Sequence, residues 1–231
     1  MLNIGNFIAK NVTKRPKSMF QGDLYTHQSA LTEAIEGKSV LVIGGAGSIG
    51  SSYIKALLPF KPKTLVVVDI SENGLTELTR ELRSTSAFTV PDDYVTYPMN
   101  YADDTFVKMF KARGGFDIVA NFSAHKHVRS EKDKYSVEAL LKNNVVNAKK
   151  FLDLLCDYRP QHFFCVSTDK AANPVNIMGG SKKIMEDIIM AYADLFPVTT
   201  ARFANVAFSN GSPTAGFLEL LAKNKQILTP S

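Results

Sequence analysis

Residues 167–170 read Ser-Thr-Asp-Lys. They put a hydroxyl, a carboxylic acid and an amine on consecutive side chains. Such a set can hydrogen-bond an oxygen, give one proton and take another, which is acid–base work divided between neighbours. A second run, Gly44-Gly45-Ala46-Gly47-Ser48-Ile49-Gly50, satisfies both G-x-G-x-x-G and the looser G-x-x-G-x-x-G. Bare backbone lets a pyrophosphate approach closely, and a helix opening behind it offers free N–H groups to the negative charge. Asp69 follows roughly 20 residues on, where an acid grips a ribose 2′-hydroxyl and repels a 2′-phosphate. No arginine follows it closely in Asp69-Ile70-Ser71-Glu72-Asn73. The pattern predicts NAD, with NADP disfavoured.

These groups need elements to hold them. Residues 38–43 (KSVLVI) form a short apolar run that leads into the glycines and a helical pattern over residues 51–58. Apolar runs at 64–70, 94–99, 116–122, 162–166 and 198–203 predict five more strands. Helical patterns at 72–83, 105–113, 137–158 and 180–195 separate them. β-rich runs alternating with helices predict an α/β fold with a doubly wound parallel sheet, the NAD(P)-binding Rossmann type, with right-handed crossovers. In such a sheet the residues just past the strand C-termini face the ligand crevice. Both the glycine run and Ser167-Thr168-Asp169-Lys170 occupy that position. Residues 1–37 read as an N-terminal extension ending in a helix-like stretch closed by Gly37. Residues 38–204 form the dinucleotide-binding domain, and residues 205–231 begin a smaller C-terminal substrate lobe.

The composition sets limits. A chain of 231 residues, 45% hydrophobic and 21% charged, can bury one sizeable core. Cys156 and Cys165 lie in apolar surroundings (LLCDY, FFCVS), which predicts buried thiols and a reducing compartment. No apolar run approaches the roughly 20 residues that cross a bilayer. The N-terminus does not read as a secretory signal, so the expected location is cytoplasmic, with no membrane partner. The net charge of +5 comes from scattered lysines, with Lys14-Arg15-Pro16-Lys17 the one dense cluster. A solvated basic surface, not a nucleic-acid site, is expected. His125, Lys126 and His127 lack a cysteine or carboxylate spaced to complete a metal set, so no metal is expected.

The glycine run, the segments STDKAANPVNIMGGSKK and SAHKHV, and the later RFANVAFSNGS resemble the extended short-chain dehydrogenase/reductase superfamily. Within it they are similar to the nucleotide-sugar 4,6-dehydratases of polysaccharide and glycan biosynthesis, over roughly residues 38–212. The resemblance implies NAD-dependent dehydration of a UDP-N-acetylhexosamine, usually UDP-N-acetylglucosamine. Sugar C4 is oxidised, water leaves across C5 and C6, and the hydride returns to C6. Carried over residue by residue, Asp169 is the acid for the C6 hydroxyl, Lys170 the base at C5, and Thr168 the hydrogen-bonding partner of the C4 oxygen. Lys182 binds the nicotinamide ribose and lowers nearby pKa values. Asp169 protonated and Lys170 neutral would require both pKa values to shift toward neutrality.

By the same resemblance Gly44, Gly47, Ser48, Ile49, Gly50, Asp69, Asn100 and Ser123 line the cofactor site, with Asn100 where an adenine-binding aspartate is common. Lys126, His127, Asn144, Asn205 and Ser209 fall to the substrate, and a homo-oligomer is implied. Two departures stand out. Met178 occupies the position of the superfamily's usual acid–base tyrosine and cannot transfer a proton, which leaves water, Asp169 or Lys126 as the base at C4. His125 replaces a usual tyrosine. One branch of the dehydratases resembles this chain in carrying methionine at the position of Met178. Family members usually continue past Thr229-Pro230-Ser231, so an incomplete sugar pocket is expected. A 4-epimerase or reductase on a similar sugar, and a catalytically silent NAD-binding module, are the alternative readings.

Overall fold

The computed structural model describes residues 4–15, 18–124, 131–206, 209 and 212–222. Its centre is a six-stranded parallel sheet formed by β1 (Ser39–Ile43), β2 (Thr64–Asp69), β3 (Asp93–Pro98), β4 (Ile118–Asn121), β5 (His162–Thr168) and β6 (Val198–Phe203). The spatial order is β3-β2-β1-β4-β5-β6. Val40 on β1 pairs with Leu65 on one side and Ile118 on the other. Strand order reverses between β1 and β4, and in a doubly wound sheet that switch point opens a crevice at the strand C-termini.

The strands form because their apolar runs are buried on both faces, as parallel sheets require. Residues 40–43 of β1 and 65–68 of β2 are all at most 2% exposed. On one face, Leu41, Ile43, Val66 and Val68 meet Phe106 and Phe110 of α6 (Asp104–Ala112), Phe151 and Leu155 of α8 (Asn147–Asp157), and Met185 and Ile189 of α9 (Ile177–Ala191). The rings of Phe106, Phe110 and Phe151 lie 5.6–5.9 Å apart between centroids. Each such pair adds about 0.5–1.5 kcal/mol beyond area burial. On the other face, Val40, Val42, Leu65 and Val67 meet Ile54 and Leu57 of α4 (Ser48–Leu57), and Leu75, Leu78 and Leu82 of α5 (Glu72–Ser84).

The N-terminal extension is helical in short pieces: α1 (Ile4–Phe7) running into a π-helical turn at Ile8–Val12, then α2 (Gln21–Thr26) and α3 (Gln28–Ile35). It is not wholly apart from the domain, because Leu31 and Ile35 of α3 join the second core cluster. Gly37 at φ +72° turns the chain into β1, a conformation that favours glycine.

Several boundaries differ from expectation: α4 opens at Ser48 rather than residue 51, and α9 closes at Ala191 rather than residue 195. The helix expected over residues 137–158 is α7 (Lys134–Leu141), a π-helical turn (Lys142–Val146) and α8 in succession. Leu140 before the turn and Phe151, Leu152 and Leu155 after it are all buried. The helix expected from Gly180 starts at Ile177, because Asn176 caps it, its Oδ1 accepting the Gly179 N–H at 2.8 Å. Of the two free cysteines, Cys165 is buried as expected but Cys156 only partly so.

Candidate functional site

A cavity of about 820 Å³ runs along the C-terminal ends of the strands. Its first wall is the glycine turn between β1 and α4. Gly44 holds φ +75°, and a Cβ there would sit 2.7 Å from the Ser123 nitrogen. A Cβ on Gly50 would sit 2.3 Å from the Gly44 carbonyl oxygen. Those two glycines let the turn fold on itself and against the segment after β4. A Cβ on Gly47 would meet only the Gly44 oxygen, at 3.4 Å, so its free side faces the cavity. Gly47 is the N-cap of α4 and brings no side chain to it. Gly47, Ser48, Ile49 and Gly50 therefore present first-turn backbone to the cavity, where the helix end favours an anion.

Asp69 stands beside this turn. Its Oδ2 accepts the Ala46 N–H at 3.0 Å and its Oδ1 the Ser71 N–H at 2.9 Å. Asn100 lines the same end, its Oδ1 turned to the Ala102 N–H at 2.9 Å. Ser123 lines the middle, its hydroxyl donating to Asn121 Oδ1 at 2.6 Å. The set fits a dinucleotide: a backbone cradle that tolerates no added Cβ at Gly44 or Gly50, a helix end for phosphate, and a carboxylate for sugar hydroxyls.

The opposite wall carries Thr168, Lys170, Met178 and Lys182. Thr168 ends β5, and a single 3₁₀ turn (Asp169–Ala171) follows. The Thr168 hydroxyl donates to Asp169 Oδ1 at 2.9 Å, and Lys170 Nζ donates to the same oxygen at 3.1 Å. Asp169 is thus held by its neighbours at the rim, while Thr168 and Lys170 face inward. The Thr168 hydroxyl, then the Lys170 ammonium, hold the Asp169 carboxyl below the usual carboxylate range. That is opposite to the upward shift expected from the sequence, because the two neighbours on hand both stabilise the anion.

Lys182 is 3% exposed, with Nζ donating to the Val166 carbonyl at 3.2 Å. Burial pushes its pKa down. Met178 is 2% exposed, and its backbone N–H donates to Glu131 Oε1 at 2.7 Å. With Asn176 taking the Gly179 N–H, the first turn of α9 spends its donors on protein, whereas that of α4 faces the cavity.

Asn144 departs from its expected place. It is 2% exposed and does not line the cavity; its Nδ2 donates to Ser181 Oγ at 3.1 Å. Asn144 lies in the π-helical turn, and the neighbouring Asn143 is on the wall instead. Asn205 and Ser209 line the mouth past β6, with Ser212 and Thr214 at α10 (Pro213–Ala222). His125, Lys126 and His127 lie outside the described residues. Asn143, Tyr101 and Glu131 are contributors that sequence reasoning missed. Tyr101 and Asn143 each adjoin a residue it singled out, Asn100 and Asn144. Among the described residues no group of His, Cys, Asp and Glu gathers to hold a metal, and no helix is long and apolar enough to cross a membrane.

The sequence profile of a family described as polysaccharide biosynthesis protein matches residues 40–229. The chain belongs to that family. It is 35% identical over 181 residues to an uncharacterized membrane protein of Methanocaldococcus jannaschii, covering 76% of this chain and 51% of that one. It is 28% identical over 200 residues to a UDP-N-acetylglucosamine 4,6-dehydratase (inverting) of Campylobacter jejuni, covering 83% and 56%. Among solved structures, Pen from Bacillus thuringiensis matches with a TM-score of 0.71 at 25% identity, over 85% of this chain and 59% of that one. The chain thus spans about half the length of these family relatives.

Proposed function

We propose that this chain binds NAD and acts in the 4,6-dehydration of a UDP-N-acetylhexosamine, with UDP-N-acetylglucosamine the preferred substrate. The observation that carries the reading is the facing of two walls across one cavity: a phosphate cradle with Asp69 on one side, Thr168, Lys170 and Lys182 on the other. The likeness to the Campylobacter jejuni dehydratase supports the substrate class.

In this reading the glycine turn and the α4 N-terminus hold the pyrophosphate, Asp69 accepts from a ribose hydroxyl, and Lys182 donates to the nicotinamide ribose. NAD bound there supplies a hydride acceptor that becomes a donor later in the same turnover. Thr168 hydrogen-bonds the sugar C4 oxygen. Lys170 Nζ takes the C5 proton while Asp169 gives its proton to the C6 hydroxyl, which leaves as water. The elimination ends with Lys170 as ammonium and Asp169 as carboxylate, the ion pair that stands 3.1 Å apart. The reacting state is the neutral pair, one proton moved across that contact. When Thr168 turns from Asp169 to the sugar oxygen, Asp169 loses its main stabiliser as an anion and its affinity for the proton rises.

The deciding assay incubates the 231-residue chain with UDP-N-acetylglucosamine and NAD and weighs the product. Loss of one water supports the dehydratase. An isomer of unchanged mass overturns it in favour of a 4-epimerase, and an unchanged substrate leaves a nucleotide-binding module. Lys170→Ala should abolish water loss while NAD binding stays; loss of both removes the role given to Lys170.

A further inference from the structure

The two ends of the cavity are joined by one line of buried and half-buried polar groups. Tyr101 follows Asn100 just past β3 and is 6% exposed. Its hydroxyl donates to the backbone carbonyl of Asn143 at 3.0 Å. That carbonyl belongs to the π-helical turn, where the Asn147 N–H bonds Lys142. In an α-helix the Asn147 N–H would serve Asn143, so the one-residue shift moves that donor away and the phenol supplies another. From there Asn143 Nδ2 donates to Asn144 Oδ1 at 3.2 Å and Asn144 Nδ2 to Ser181 Oγ at 3.1 Å. Ser181 Oγ donates to the Met178 carbonyl at 2.8 Å. Ser181 is 1% exposed and precedes Lys182.

We propose that Tyr101 is a positioning residue: its hydroxyl fixes the π-helical turn, and through Asn143, Asn144 and Ser181 fixes the first turn of α9, with Met178 and Lys182. The inference rests on the reading that this cavity takes NAD, with its nicotinamide end at Lys182. Buried polar links of this kind hold one geometry because each broken link leaves its partner unpaired away from water. The ring itself packs edge-on against Phe106 and Phe151, so phenylalanine at this position keeps the packing and removes only the hydroxyl, with its links to the Asn143 carbonyl and to Ser123. The nicotinamide end of the site then depends on the hydroxyl of the residue that follows Asn100, and the ADP-ribose half does not.

The test is calorimetric binding of NAD and of ADP-ribose to the full chain, wild type and Tyr101→Phe. ADP-ribose affinity should stay within about twofold, while NAD affinity falls about five- to tenfold, the size of one net hydrogen bond. Ser181→Ala, at the far end of the relay, should reproduce that selective loss. The double variant should lose little more than either single one, as residues of one network do. Equal losses for both ligands mark a general packing defect and overturn the proposal; so do unchanged NAD affinity and additive losses in the double variant. A wild-type chain that binds neither ligand overturns the NAD reading, and this inference with it. If wild type and Tyr101→Phe bind both ligands alike, the inference fails and the NAD reading stands.

Discussion

The carboxylate of Asp69 accepts the backbone N–H of Ala46 at 3.0 Å. The end of β2 and the glycine turn after β1 are thereby one unit, and the acid that would meet a ribose also shapes the phosphate cradle. Asp69→Asn keeps an acceptor for Ala46 and removes the charge. Its expected result is a weaker preference for NAD over NADP, because the repulsion of a 2′-phosphate is gone. Parallel titrations of the two dinucleotides measure that ratio, and an unchanged ratio would show that Asp69 does not set it.

Gly50 and Gly47 should respond to alanine in opposite ways. At Gly50 the new Cβ meets backbone, 2.3 Å from the Gly44 oxygen and 2.8 Å from the Gly45 Cα, which cannot step aside. Overpacking of this kind costs about 1–3 kcal/mol or more. For a chain of this size Tm falls roughly 2–4 °C per kcal/mol. Gly47→Ala finds ordinary contact, at 3.4 Å, and should melt near the wild-type temperature while binding the dinucleotide more weakly. Melting curves with and without NAD separate the two effects. Equal destabilisation by both would show that Gly47 is not open to the cavity.

Much of this arrangement was legible in the chain because strand ends announce themselves. KSVLVI before the glycines and HFFCV before Ser167 place both motifs at strand C-termini, and the sheet puts them on one cavity. The π-helical turn was not legible. The buried positions 140, 144, 147–148, 151–152 and 155 recur at ordinary helical spacing across it, so periodicity reads straight through. Asn143, which carried no signal of its own in the sequence, lines the cavity in place of Asn144. The Glu131 contact with α9 joins residues 47 apart through a side chain, and no local pattern encodes it. The direction of the Asp169 shift depends on side-chain rotamers at Thr168 and Lys170, which spacing does not specify.

The titration of Asp169 should depend on the Thr168 hydroxyl. The Thr168 hydroxyl is the leading stabiliser of the Asp169 anion, so Thr168→Val should move the carboxyl up, toward its ordinary value. In wild-type protein, addition of UDP-N-acetylglucosamine with NAD should move it up as well, as the hydroxyl turns to the sugar. Carbon-13 NMR of the aspartate carboxyls follows both changes. A carboxyl that stays low with both ligands bound is no proton donor to the C6 hydroxyl.

Lys182 gives the pH dependence a sign that can be worked out. Burial lowers its pKa in the folded chain relative to an unfolded value of about 10.4. Between those two values the unfolded chain binds more protons, so stability rises with pH across that window. Below the window both states hold the proton, and the buried ammonium is a standing cost with the Val166 carbonyl as its oxygen partner. Lys182→Met keeps the length of the side chain and removes the charge. The variant should gain most over wild type near neutral pH, with the advantage shrinking as pH climbs toward 10, and it should bind NAD less well. Thermal melts of both proteins across pH 7–10 test this, and a Tm difference that does not change with pH would mean that Lys182 holds no depressed pKa.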